Sequence, residues 1–256
     1  MELAGSVVVI TGAGNGIGAA LSRELARRGA KLVLNDVDEA ALAGVAEQTG
    51  AVAVAGDVAQ DGDVRALVDA ALEKHGRIDV FCANAGVARH GGPEVDEELW
   101  VQSWEINVMA HVRAARAVLP HWIERGRGHF LATVSAAGLL TSLGAAPYSV
   151  TKHAALAFAE WLAITYADRG ISVQALCPQG VRTRMLDNTG ETGKKLLEPG
   201  ALDPDTVAEV TAESLGNGKF LILPHPEVAE YYARRAADPD RWQDGMRRLQ
   251  HKITSS

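Results

Sequence analysis

Short apolar runs alternate along the chain with longer segments in which apolar residues recur every three or four positions. The runs at 7–10, 31–35, 52–55, 78–82, 128–135 and 171–177 have strand length and are largely apolar throughout, not at every second position. A strand covered on both faces has that pattern, because neither face meets water. Between the runs the periodicity is helical. Over 17–28 it places Ile17, Leu21 and Leu25 on one side, and further helices are predicted at about 38–48, 61–75, 98–125 and 147–168. Alternating strands and helices with right-handed crossovers predict an α/β fold: a doubly wound parallel sheet with helices on both faces.

Beyond residue 184 the pattern is less regular. Residues 185–200 are rich in Gly, Lys, Glu and Thr and read as a loop. Asp203-Pro204 has the form of an N-cap followed by proline at the first helical position, opening a helix to about residue 215. A last strand is expected at 220–223, stopped by Pro224, and 226–235 and 241–250 read as helices. Residues 1–256 fit one domain, with 224–256 as an atypical helical extension.

Bulk properties narrow the function classes. The formal charge is -7 and no basic cluster stands out, which argues against a nucleic acid or an anionic membrane as partner. No run approaches the ~18 apolar residues of a membrane span, and the first residues lack a secretory leader pattern. Cys82 and Cys177 lie inside apolar runs and read as buried thiols of a reducing compartment, the cytoplasm. The histidines show no metal-ligand spacing, so no metal is expected.

Thr11-Gly12-Ala13-Gly14-Asn15-Gly16-Ile17-Gly18 follows the first predicted strand and opens the first predicted helix. Glycines at that junction allow a tight turn and close approach of backbone to a pyrophosphate, which the free N–H groups of the helix N-terminus then bind. Asp36 ends the second predicted strand, eighteen residues after Gly18, where a carboxylate accepts the adenosine ribose hydroxyls and repels a 2′-phosphate. Neither Asn15 nor Val37 is a cation that would welcome that phosphate, so the cofactor is read as NAD and not NADP. At the other end of the fold stand Tyr148 and Lys152, four positions apart and therefore on one helical face. An ammonium beside a phenol favours phenolate and is expected to lower its pKa from ~10, fitting it for proton exchange with an alcohol or carbonyl oxygen.

With these residues assembled, the chain resembles the short-chain dehydrogenase/reductase family, in its single-domain, Rossmann-type branch. The carriers are TGAGNGIG at 11–18, Asp57-Val58, Ala83-Asn84-Ala85-Gly86, Asn107, Ser135, Tyr148 and Lys152, in matching order and spacing. The resemblance covers about residues 5–184 and implies roles for particular positions. Gly12, Asn15, Gly16, Ile17, Gly18 and Asp36 would hold the cofactor, Asp57 and Val58 its adenine, and Asn84 and Gly86 its floor. Val181 and Thr183 would meet the carboxamide. Tyr148 would be the acid/base, Ser135 would steady the substrate oxygen, and Lys152 would bind the nicotinamide ribose. Asn107 would hold a water linking Lys152 to solvent.

Two departures stand out: Ala83 where the family commonly has Asn, and Gln179 after Pro178 where it commonly has Gly. The Gln179 side chain could point at the nicotinamide, at the substrate or away.

The implied reaction interconverts a secondary alcohol and a ketone by hydride transfer, and the small or apolar residues at 136–146 suggest a fairly apolar small substrate. Residues 185–200 would be the substrate loop. The family also implies a homo-oligomer, dimer or tetramer, through the long helices at 98–125 and 147–168. Competing readings are a cofactor-retaining epimerase or dehydratase and a non-enzymatic NAD(H) sensor. Both fit the dinucleotide turn. The spacing Gly12-x-x-x-Gly16-x-Gly18 disfavours the first, and the Ser135, Tyr148, Lys152 set disfavours the second.

Overall fold

A computed structural model describes residues 1–255. The apolar runs form β1 (Val7–Thr11), β2 (Lys31–Asp36), β3 (Val52–Ala55), β4 (Val80–Ala83), β5 (Gly128–Thr133), β6 (Ile171–Leu176) and β7 (Leu221–Ile222). Between them lie α1 (Gly16–Arg27), α2 (Glu39–Thr49), α3 (Asp61–His75), α4 (Glu97–Trp104), α5 (Ala110–Arg125), α6 (Ala137–Leu140) and α7 (Ala146–Tyr166). After β6 come α8 (Arg184–Asp187), α9 (Gly190–Leu197) and α10 (Pro204–Ser214), and after β7 come α11 (Glu227–Ala237) and α12 (Pro239–Thr254).

The strands form one parallel sheet in the order β3-β2-β1-β4-β5-β6-β7. Successive residues of a strand feed opposite faces, which is why both faces needed apolar side chains. Val9, Val33, Phe81 and Phe130 join α3, α5 and α7 in one core, while Val8, Ile10, Leu34 and Cys82 join α1, α2 and α10 in the other. Each fully buried aliphatic or aromatic side chain in these layers contributes ~1.5–3 kcal/mol. The chain leaves β1 in one direction through β2 and β3, then crosses back to β4 on the other side. That reversal opens a crevice at the carboxyl ends of β1 and β4, where α/β sheets of this kind bind ligands.

The structure departs from the sequence expectations at three places. The predicted helix at 98–125 is interrupted by a π-helical turn, Glu105–Met109, whose wider coil is invisible to a 3.6-residue periodicity. The predicted loop at 185–200 is mostly helical, comprising α8, α9 and a 3₁₀ turn at Glu198–Gly200. Its glycines and charges mask Leu186, Leu196 and Leu197, which line the central cavity, and tertiary packing there overrides local composition. Finally, α10 starts at Pro204 as expected, but the Asp203 carboxylate accepts from Arg182 Nη1 at 3.1 Å and makes no capping bond.

Close packing also dictates Gly128 at the start of β5. A Cβ there would lie 2.1 Å from the ring of the fully buried Trp122, whose Nε1 donates to Ile78 O at 2.9 Å. Gly44, within α2, has nothing within 4 Å of a built Cβ. Gly128→Ala is therefore expected to lose about 1–3 kcal/mol and Gly44→Ala to gain about 0.5–1 kcal/mol in urea unfolding. Equal midpoints for the two variants would contradict this packing.

Candidate active site

At the mouth of the crevice the β1–α1 turn is built from backbone. Gly12 and Gly16 hold φ +64° and +52°, left-handed values that side chains disfavour. A Cβ on Gly12 would come within 2.8 Å of Ala85 Cα, and one on Gly18 within 2.0 Å of Gly12 O. The turn therefore packs directly on the end of β4. Thr11 Oγ1 accepts the N–H groups of Asn84 and Ala85 at 3.0 and 3.1 Å, and Asn84 Nδ2 donates to the carbonyls of Thr11 and Gly12 at 3.0 and 3.2 Å. The Asn84 side chain thus braces the turn. Asn15 makes no side-chain cap at the start of α1.

At the end of β2, Asp36 Oδ2 accepts from Gly14 N–H at 2.8 Å and Oδ1 from Asp38 N–H at 3.0 Å. The carboxylate is pinned against the glycine turn. Asp57 Oδ1 accepts from Ala59 N–H at 2.9 Å, and Val58 is buried beside it.

A cavity of about 830 Å³ runs from this corner along the carboxyl ends of the strands to the C-terminal helices. Gly12, Asn15, Gly16, Ile17, Asp36, Asp57, Val58, Asn84 and Gly86 line its first part; Ser135, Tyr148, Lys152, Val181 and Thr183 line the part beyond. Thr183 lies beside the glycine turn, its Cγ2 3.0 Å from a Cβ built on Gly16. Gly18 and Asn107 stand behind the wall, the first supporting the turn. A cradle that any Cβ would fill, followed by a carboxylate at the next strand end, fits an extended dinucleotide.

The π-helical turn carries Asn107 into the interior, fully buried. Its Oδ1 accepts from Val87 N–H at 2.9 Å, and its Nδ2 donates to Val87 O and Thr151 Oγ1 at 2.9 and 3.0 Å. Asn107 thereby ties the strand-end loop to α7, and the second Oδ1 lone pair is its remaining capacity for a water.

Lys152 is buried, and its Nζ donates to Thr133 O at 2.9 Å while lying 5.7 Å from the centroid of the Tyr148 ring. Burial pushes the ammonium down to about 8. Tyr148 is half-buried because its ring borders the cavity; protein surrounds it on its other sides. Burial raises the phenol above its ordinary value, a hydrogen bond with Ser135 opposes that rise, and the nearby Cys177 adds to it. The expected lowering of the phenol by Lys152 is therefore not what this geometry gives. The ammonium sits over the ring face, gives one of its three protons to Thr133 O, and is itself made less stable by burial. Ser135 Oγ faces the Pro178 carbonyl at 3.4 Å and accepts from Ala137 N–H at 3.1 Å. The thiols of Cys82 and Cys177 are buried and pushed up to about 12, which leaves them inert.

The far wall was not foreseen in the sequence. Tyr231 of α11 and Trp242, Met246 and Leu249 of α12 line the cavity together with Leu140, Leu196 and Leu197. The available signal was the spacing of Trp242, Met246 and Leu249, an apolar stripe on an otherwise polar helix. Gln179 points away from the cavity's reacting end, its Nε2 donating to Glu227 Oε1 at 3.0 Å. Among the described residues no group of three acidic, His or Cys side chains could hold a metal, and no helix is long and apolar enough to cross a membrane.

Comparison with known proteins identifies the family. The profile described as short chain dehydrogenase matches residues 6–194. A 1-deoxy-11-beta-hydroxypentalenate dehydrogenase of Streptomyces exfoliatus is 37% identical over 243 residues, spanning 89% of this chain and 86% of its own. The oxidoreductase UcpA of Escherichia coli (strain K12) is 32% identical, spanning 97% and 94%. The crystal structure of a short chain dehydrogenase/reductase from Burkholderia phymatum in complex with NAD superimposes with a TM-score of 0.87 at 32% identity, over 94% of this chain and 96% of that one. An actinorhodin polyketide ketoreductase with NADPH gives 0.79 at 28% identity, over 86% and 95%. The nucleotides in those two structures differ, but both are nicotinamide dinucleotides. With a glycine cradle, a Ser135–Tyr148–Lys152 cluster and these relatives, the chain belongs to the short-chain dehydrogenase/reductase family, as an oxidoreductase of the alcohol/ketone couple that acts on a small molecule with a nicotinamide dinucleotide.

Proposed function

We propose that the chain is an NAD-dependent dehydrogenase that interconverts an apolar secondary alcohol and its ketone. The observation that carries the cofactor reading is Asp36, pinned to the glycine turn at the end of β2 with Val37 and Asn15 beside it on the cavity wall. A 2′-phosphate at that corner would meet a fixed carboxylate and no cation. The apolar reading rests on the far wall of Leu140, Met185, Leu196, Leu197, Trp242 and Met246.

Bound NAD+ supplies the hydride acceptor. Tyr148 as phenolate takes the alcohol proton, and Ser135 donates to the oxygen on which charge changes. Lys152 would offer the remaining protons of its ammonium to the ribose hydroxyls. Asn107 keeps α7 docked, so that phenol and ammonium stay on one line. Asp57 and Val58 would hold the adenine, Gly86 would form the cofactor's floor, and Val181 and Thr183 would hold the carboxamide. The exposed Val101 and Trp104 on α4, with Val150, Trp161 and Ile164 on α7, support a dimer or tetramer through these helices. Sedimentation equilibrium checks this: Trp161→Asp with Ile164→Asp should give monomers from an oligomeric parent.

Tyr148→Phe should lower kcat for alcohol oxidation by about 10²–10⁴-fold while NADH still quenches and binds. Near-normal turnover would remove the phenol from the mechanism. Because the Ser135 hydrogen bond holds the phenol pKa down, Ser135→Ala should move the rising limb of the kcat/KM–pH profile to higher pH. A shift to lower pH would contradict the arrangement.

The wild type should favour NAD+ over NADP+ by at least about tenfold in kcat/KM. Asp36→Ala combined with Val37→Arg should reverse that order. An unchanged preference would show that the discrimination lies elsewhere.

A further inference from the structure

His225 follows β7 in the Leu223-Pro224-His225-Pro226 stretch and is 4% exposed, although it lies in a connecting segment. Its Nδ1 receives the Gln179 backbone N–H at 3.1 Å. That nitrogen must therefore carry a lone pair, so in the neutral ring the proton sits on Nε2. Nε2 faces the Gly200 carbonyl at 3.2 Å and donates to it. One neutral imidazole in one tautomer thus joins two segments that are distant in sequence. A third is joined alongside, since Gln179 Nε2 reaches Glu227 Oε1 at the start of α11.

The three segments each border the cavity. Pro178 O accepts from Ala136 N–H at 2.8 Å and faces Ser135 Oγ at 3.4 Å, so the loop after β6 also supports the catalytic serine. Residues 179–181 continue along the wall. The 184–200 segment supplies Met185, Leu196 and Leu197 and ends at Gly200, where His225 holds it. Its return is stitched to the same loop: Leu202 N–H donates to Gly180 O at 3.0 Å and Arg182 N–H to Leu202 O at 2.9 Å. The fit is close, because a Cβ on Gly180 would lie 2.4 Å from Leu197 O. The α11–α12 unit, starting beyond His225 and Pro226, adds Tyr231, Trp242 and Met246.

We propose that His225 is a positioning residue, a neutral Nε2–H latch that fixes the 184–200 cap and the C-terminal helices to the loop after β6 and so sets the substrate wall. It touches no reacting atom. Its consequence for turnover rests on the dehydrogenase reading above; its consequence for the cap does not. Removing the ring takes from the half-buried Gln179 N–H and from the Gly200 carbonyl the one group that joins them, and these two segments separate more easily than the sheet does. A glutamine at 225 retains an acceptor and a donor on one planar group.

The test compares wild type, His225→Ala and His225→Gln as full chains by amide hydrogen exchange and by steady-state kinetics with NAD+ and a secondary alcohol oxidised by the wild type. His225→Ala is expected to accelerate exchange at 184–202 and 227–237 by at least about tenfold, with β1, β4 and β5 unchanged. KM for the alcohol should rise about tenfold with kcat within about threefold, and His225→Gln should restore both within about threefold. Unchanged exchange in the cap overturns the latch, as does acceleration spread evenly through the sheet or a Gln variant that behaves like Ala. If the wild type turns over no alcohol with NAD+, the dehydrogenase reading fails, while the exchange pattern still decides whether His225 latches the cap.

Discussion

The site is organised around one buried cation. Lys152 is almost fully enclosed, and an ammonium in that position is costly unless its protons find acceptors. Thr133 O takes one, and the face of the Tyr148 ring lies beneath another side of the charge. Much of the surrounding structure exists to make that enclosure fit. A Cβ on Gly86 would approach Nζ to 3.4 Å and Asn107 Oδ1 to 3.2 Å, and a Cβ on Gly138 would strike Lys152 O at 2.6 Å. The end of β4, the turn into α6 and the face of α7 therefore close on one side chain. Tyr148 and Ser135 acquire their places from the same closure, since one lies a helical turn from Lys152 and the other begins the Ser135–Gly138 turn.

The cavity divides the work between two kinds of recognition. Its first part is made from backbone and short polar side chains at the carboxyl ends of β1, β2 and β4, which suits a flexible, charged dinucleotide. Its far part is made from side chains of α8, α9, α11 and α12, mostly apolar but with Arg184 and Arg234 among them. The match to the family profile ends at residue 194, so α11 and α12 lie outside it. Ser135, Tyr148 and Lys152 thus lie within the stretch that the profile matches, and Tyr231, Trp242, Met246 and Leu249 of the far wall lie beyond it. His225 and Gln179 join the two portions.

Most of the architecture was legible in the sequence because a doubly covered parallel sheet writes itself as apolar runs of strand length. The dinucleotide corner was equally legible, since Gly12, Gly16 and Gly18 are needed for sterics and steric needs are local. Besides the far wall and the Asp203 contact, three things were not. The π-helical turn at Glu105–Met109 changes the register by a single residue, too little for periodicity to register. The helices within 185–200 draw their stability from Leu186, Leu196 and Leu197 packing on distant elements, against a composition that favours a loop. The pKa of Tyr148 depends on how deeply it and Lys152 are enclosed, and spacing along a helix carries no information on depth. Spacing alone put the cation beside the phenol; the fold put it over the ring face, with one proton bonded to Thr133 O.

Titration of Lys152 in the full chain, followed through the ¹³Cε resonance of labelled lysine and assigned with Lys152→Met, reads that enclosure without requiring a substrate. The buried ammonium is expected to lose its proton at about 8. A midpoint at the ordinary lysine value of ~10.4 would mean an ammonium in water, and an active site not assembled around it.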